Sequence, residues 1–170
     1  MSTPLEDQLS PLKLLGGLTA ADLWPANNVI FLGWILLMFF PRWKHTQSLS
    51  LIPPIFHSAI YVLTLLSNFI FSDDQEGPPD FATFQGVVDL FQNPNNVYVG
   101  WVHYLAFDLL VGRMIVADSV KRGASMTFHA GIIAPCLVLT LMFGPTGWLL
   151  YTVSSTVFLT DTEAGKGKKE

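Results

Sequence analysis

The sequence predicts an all-α membrane protein: a four-helix transmembrane bundle with a short amphipathic interfacial helix between helices two and three. Three observations carry this. Of the 170 residues, 51% are hydrophobic and only 13% are charged, with a mean hydropathy of +0.44; an average soluble domain carries roughly 25% charge. The apolar residues gather into four runs, each close to the ~20 residues needed to cross ~30 Å of hydrocarbon. Finally, no Lys or Arg lies between Lys44 and Arg113, a stretch that holds Asp73, Asp74, Glu76, Asp80 and Asp89. The length suits one domain. Residues 1–22 read as a polar, interfacial N-terminal segment, 23–159 as the transmembrane domain and 160–170 as a polar tail.

The first run, residues 23–40, places Pro25 in its opening turn, where a missing N–H costs least. Pro41, Arg42, Trp43 and Lys44 end it with a helix stop, two cations and an aromatic anchor. The second, residues 51–71, is entered through Pro53-Pro54. In the acidic connection that follows, Asp80 is placed to cap a short helix carrying Phe81, Phe84, Val88 and Phe91 near one face, an amphipathic spacing. Such a helix lies on the membrane surface or acts as a lid over a site opening to that side. Asn93-Pro94-Asn95 turns the chain into the third run, residues 97–117, which Lys121-Arg122-Gly123 follow. The fourth covers residues 126–151 and is interrupted at Gly144-Pro145. The stretch 126–159 is too long for one straight span, so a kink or an emerging interfacial helix is expected there.

The basic connections, first-to-second and third-to-fourth, face the cytoplasm or stroma by the positive-inside rule. The acidic connection faces the other side, and both termini are expected with it. Lys166, Lys168 and Lys169 disagree with that placement. Near the N-terminus, Glu6 and Asp7 without an early cation fit neither a signal peptide nor an Arg-rich transit peptide. A net charge of −4 gives no reason to expect nucleic-acid binding. The lone Cys136 supports no disulfide framework and no Cys-based metal site.

The third helix raises the chemical question. A charge at mid-bilayer costs ~2.5–3.5 kcal/mol on the insertion scale, yet His103, Asp108, Arg113 and Asp118 all fall in or near this span. At ~100° per residue, His103, Asp108 and Arg113 are successively rotated by roughly 140° and cannot share one groove. Tyr104, Asp108 and Gly112 do share a face. Asp108 lies deepest from both ends, so it pairs inside the protein or is protonated. It is either a helix-packing residue, with Gly112 allowing a neighbour close, or an acid or base. Because of the 140° offset its partner is expected on another helix or at Tyr104. Arg113 snorkels partly toward the basic end, where Asp118 pairs with Lys121 or Arg122. His57 and His129 enter from the basic side and are placed to approach each other, while Asn27, Asn28 and Asn68 lie near His103 at the acidic face. Two histidines alone make a weak metal site. No His-x-x-x-His, Glu-x-x-His or clustered acidic pair is present, so no metal is expected.

The pattern Trp101-x-His103-x-Leu105-x-x-Asp108-Leu109-x-x-Gly112-Arg113-x-x-x-x-Asp118 resembles the signature of the abscisic-acid-deficient-4-like family, whose plant members are associated with neoxanthin synthesis. The preceding "FQGVVDLFQNPNNVYVGW", "FFPRW" and "FGPTGWLLY" are similar to the same family's pattern, and together the likeness covers residues 23–152. The chain departs from plant members in lacking a transit-like extension. A multi-pass protein of a bacterial- or cyanobacterial-type inner or thylakoid membrane is therefore expected, or of a plastid membrane if algal. The resemblance implies xanthophyll (carotenoid) metabolism, linked to abscisic acid biosynthesis. The chemistry it implies is conversion of an epoxy-carotenoid to an allenic, neoxanthin-type isomer, with no redox cofactor and no obligatory metal. Asp108, His103 and Arg113 would be the catalytic set. Trp101, Tyr104, Phe107, His57 and His129 would bind substrate, and aromatics such as Trp34, Phe39, Phe56, Tyr61 and Phe143 would line a groove for a polyene or simply face lipid. The alternatives are a non-catalytic pigment-binding or assembly subunit and, behind it, a proton-coupled carrier, which no inverted repeat supports. Membrane lipid and a carotenoid are the expected partners, and both a homo-oligomer and a subunit of a larger membrane complex fit the sequence.

Overall fold

A capping box opens the first membrane helix: Asp22 N–H donates to Thr19 Oγ1 at 3.3 Å, and Thr19 N–H donates to Asp22 Oδ2 at 2.9 Å. This satisfies two otherwise orphaned donors and starts the helix ahead of the apolar run. The computed structural model describes residues 9–71 and 79–159. It is all-helical, with four helices long and apolar enough to cross a membrane: α1 (Ala20–Phe39), α2 (Thr46–Ile70), α4 (Pro94–Lys121) and α5 (Met126–Phe143). Between the second and third of these lies α3 (Phe84–Leu90), and α6 (Pro145–Phe158) closes the described chain. Asp73, Asp74, Glu76 and the three C-terminal lysines lie outside the described residues.

The chain groups into two compact units, one of Met1–Asn28 with Ile55–Tyr104 and one of Val29–Pro54 with Leu105–Glu170. In the first, Ala20, Ile60, Tyr98 and Val102 form a buried core, with Leu23, Ala26 and Tyr61 packed on it. The residues leading into α1 are tied in by Leu14 N–H to Ser67 Oγ (3.1 Å) and Asn95 Nδ2 to Ser10 O (3.0 Å). α3 is capped differently from the expectation. Thr83 is its N-cap, accepting from Gly86 N–H at 3.0 Å, while Asp80 braces that cap by accepting from the Thr83 hydroxyl (2.6 Å) and Ala82 N–H (2.8 Å). Asp80 precedes the helix by too many residues to cap it directly; its carboxylate instead closes the turn before it. These bonds hold the Asp80 carboxyl below the usual carboxylate range. The apolar face of α3 is turned outward, with Phe84 86% exposed.

The second unit is built around a reversal. α5 contains a π-helical turn at His129–Ile133 directly before Pro135. A proline ring has no N–H and crowds the preceding turn, which a wide turn accommodates. At Gly144, φ +44° and ψ −99° send the chain back on itself, a conformation open to glycine alone at low cost. Pro145 then starts α6, where the missing N–H is harmless. A methyl group on Gly147 would overlap Cys136 O and both the backbone N and Oγ1 of Thr140, so α5 and α6 touch through bare backbone. At the open end the rings of Phe128 and Phe158 lie 6.3 Å apart. The arms are of nearly equal length. The expected kink is therefore a full helical hairpin, because Gly144 takes a positive φ rather than continuing the helix.

The hairpin changes the topology. The described chain leaves α6 beside Phe128, at the end where α5 begins just after Lys121-Arg122. That is the basic side, not the acidic side expected for the C-terminus.

Candidate functional site

Helix α4 begins at Pro94 after Asn93, whose Oδ1 accepts from Asn95 N–H at 2.9 Å, and then runs 28 residues. Asp108 lies near its middle and is only 8% exposed. Its carboxyl meets the tip of the α5–α6 hairpin: a methyl group on Gly144 would stand 2.9 Å from Asp108 Oδ1 and 3.5 Å from Cγ and Oδ2. The N-cap of α6 is that same Gly144, with no side-chain capping bond of its own. The first N–H groups of a helix lack intrahelical acceptors and carry about half a positive charge. A carboxylate is the natural complement at such an end, worth ~0.3–1 kcal/mol and up to ~2 kcal/mol when partly buried.

One turn further along α4, Gly112 makes room for Trp34 of α1. A methyl group there would meet Trp34 Cζ3 and Cη2 at 2.7 and 2.8 Å and Leu37 Cδ1 at 3.3 Å. Gly33 accommodates Leu109 in the same way. Trp34 is 2% exposed, and no described residue accepts a hydrogen bond from its Nε1. The sequence places Trp34 among many aromatics; only the pairing with Gly112, on Asp108's own helix face, singles it out.

The other anticipated residues have definite places. Arg113 Nε donates to Ser50 Oγ at 3.1 Å and its Nη2 to Gln47 O at 2.6 Å, while Gln47 Nε2 returns a bond to Arg113 O at 3.4 Å. It staples the start of α2 to α4. His129 is buried in the π-helical turn, with Nε2 3.1 Å from Met38 O. Phe107 is exposed. Asp118 Oδ2 accepts from Arg122 Nε at 2.8 Å, the expected interfacial ion pair, and also from Tyr151 Oη at 2.5 Å. Tyr151 went unread in the sequence, since the contact exists only because α6 folds back along α4. Arg42 donates to Ala124 O, joining the two basic connections.

In the first unit, Trp101 stacks on Trp24 with centroids 5.8 Å apart and 25° between planes, and Tyr104 joins at 5.6 Å. His103 is exposed and lies 5.4 Å from the Tyr61 ring, as its rotation from Asp108 requires. His57 is fully buried, edge-on to Phe56. His57 and His129 belong to different units. Asn68 donates to Asn96 at 3.3 Å. Among the described residues no three His, Cys, Asp or Glu side chains gather as a metal site would require.

Four membrane-length apolar helices define a multi-pass membrane protein, with a carboxyl buried midway along one of them. The chain belongs to the ABA DEFICIENT 4-like family, whose model matches residues 23–151. No curated protein and no solved structure matches it at a significant level.

Proposed function

We propose that this protein acts in carotenoid (xanthophyll) metabolism, isomerising an epoxy-carotenoid to an allenic, neoxanthin-type product through proton exchange at Asp108. The supporting observation is the placement of Asp108, buried near the middle of a membrane-length helix in a chain of this family. An acid protonates the epoxide oxygen as its bond to the ring carbon that bears the polyene breaks, and the oxygen stays on the neighbouring ring carbon as a hydroxyl. A base removes the proton from the adjacent polyene carbon, and the C–H electron pair completes the allene. One proton enters and one leaves, so the reaction is a net isomerisation. General acid–base groups contribute typically 10²–10⁴-fold each. Within the first unit, the Trp24–Trp101–Tyr104 ladder offers stacked aromatic faces and His103 lies beside Tyr61.

A second reading is favoured by the contact of Asp108 with Gly144. A carboxylate at the N-terminal end of α6 has a structural reason to be there, and the protein would then bind pigment or assemble a complex without turning pigment over. Expression in a carotenoid-producing host separates the two. A new allenic product that Asp108→Asn abolishes supports the isomerase; pigment that co-purifies unchanged supports the binder.

A further inference from the structure

We propose that the indole N–H of Trp34, whose ring is seated on Gly112 one helical turn from Asp108, is a ligand-binding donor, receiving an ether, epoxide or carbonyl oxygen of an otherwise apolar ligand. Indole nitrogen can only donate, and a buried tryptophan N–H ordinarily finds an acceptor. Here Nε1 is sealed from solvent and no described residue accepts from it. The ring is not adrift: its Cζ3–Cη2 edge is seated on Gly112 and its environment includes Leu37, so a side chain at position 112 would expel it. A donor held this firmly and left unused by the chain points to an acceptor from outside it. Gly112 and Asp108 are four residues apart on one face of α4, about 6 Å along the axis. The Trp34 ring is thus seated on the same face of α4 as Asp108. A hydrocarbon offers nothing to this donor, so the N–H discriminates oxygenated ligands from their hydrocarbon parents.

The identity of the ligand as a carotenoid rests on the function proposed above, but the test reads binding and not turnover. The probes are β-carotene 5,6-epoxide and β-carotene, a pair differing by one oxygen, titrated against the purified full chain in detergent. The wild type binds the epoxide about tenfold more tightly, the discrimination one hydrogen bond to a buried donor supplies. Trp34→Phe brings the ratio to about one and leaves the hydrocarbon affinity within about twofold. Equal affinities in the wild type, or a ratio that survives Trp34→Phe, overturn the proposal. Should Trp34→Phe not fold, the ¹⁵N-indole resonances of the wild type decide. One of them moves with the epoxide and stays with the hydrocarbon if Nε1 is the donor; identical spectra mean a buried water is its only partner, and the proposal fails. The isomerase reading is judged separately, by the pigment profile of Asp108→Asn.

Discussion

A methyl group on Gly144 probes the contact on which the hairpin and Asp108 both depend. In Gly144→Ala the new Cβ stands 2.9 Å from Asp108 Oδ1, closer than real Cβ contacts come, and 3.5 Å from Cγ and Oδ2, an ordinary contact. Relieving such an overlap in a packed interior costs about 1–3 kcal/mol. The residue must also hold φ +44° and ψ −99°, a strain of about 1–3 kcal/mol for an L side chain. The sum is about 2–6 kcal/mol. The two parts separate in a double-mutant cycle, because Asp108→Ala removes the carboxyl but leaves the backbone strain. Reversible unfolding by SDS titration in mixed micelles would measure all four corners. Gly144→Ala is expected to cost about 1–2 kcal/mol less in the Asp108→Ala background. Equal cost in both backgrounds would refute the contact, and a cost under ~0.5 kcal/mol would refute the reversal itself.

Tyr151→Phe removes the hydroxyl that reaches Asp118; because the acid is partly exposed and retains Arg122, the loss should be about 1 kcal/mol by the same titration. Cysteines introduced singly at Phe158 and at Lys121 should label from the same face of sealed vesicles, whereas labelling from opposite faces would contradict the hairpin topology. Asp80 has a folded-state pKa below its unfolded value, so its brace on Thr83 is present above the unfolded pKa of ~3.9 and is lost as pH falls through the lower folded value. Proteolysis within α3 should accordingly rise only in that acid window, and in Asp80→Ala it should be high and no longer change there.

Much of this architecture is legible in the residues, and what is not has a physical cause. The apolar runs and the segregation of cations mark α1, α2, α4 and α5, since length and charge are all a bilayer requires of a span. Asp108 is identifiable as the deepest charge by counting from the ends of its helix, and the 140° rotation between them sets His103 off its face. Gly144-Pro145 announces an interruption, but periodicity carries no information on the sign of φ. A kink and a full reversal therefore read alike, and the side on which α6 ends follows only from the reversal. Contacts made by the reversal are equally hidden: Tyr151 with Asp118, and Gly147 with Cys136 and Thr140. Arg113 reads as a group orienting substrate or partner helices, but that Gln47 and Ser50 receive it is hidden, because they are far away in the chain. Trp34 is one aromatic among many until Gly112 is seen beneath it.

Product analysis of Asp108→Asn tests the central claim most directly. In a carotenoid-producing host supplied with an epoxy-carotenoid, the wild type should accumulate an allenic isomer. The Asn variant keeps the size of the side chain beside Gly144 but cannot exchange a proton at neutral pH. It should reach wild-type levels in the membrane, unfold within about 1 kcal/mol of the wild type, and form at least ~100-fold less product. Full product formation by Asp108→Asn would contradict the account and leave Asp108 a packing residue beside Gly144.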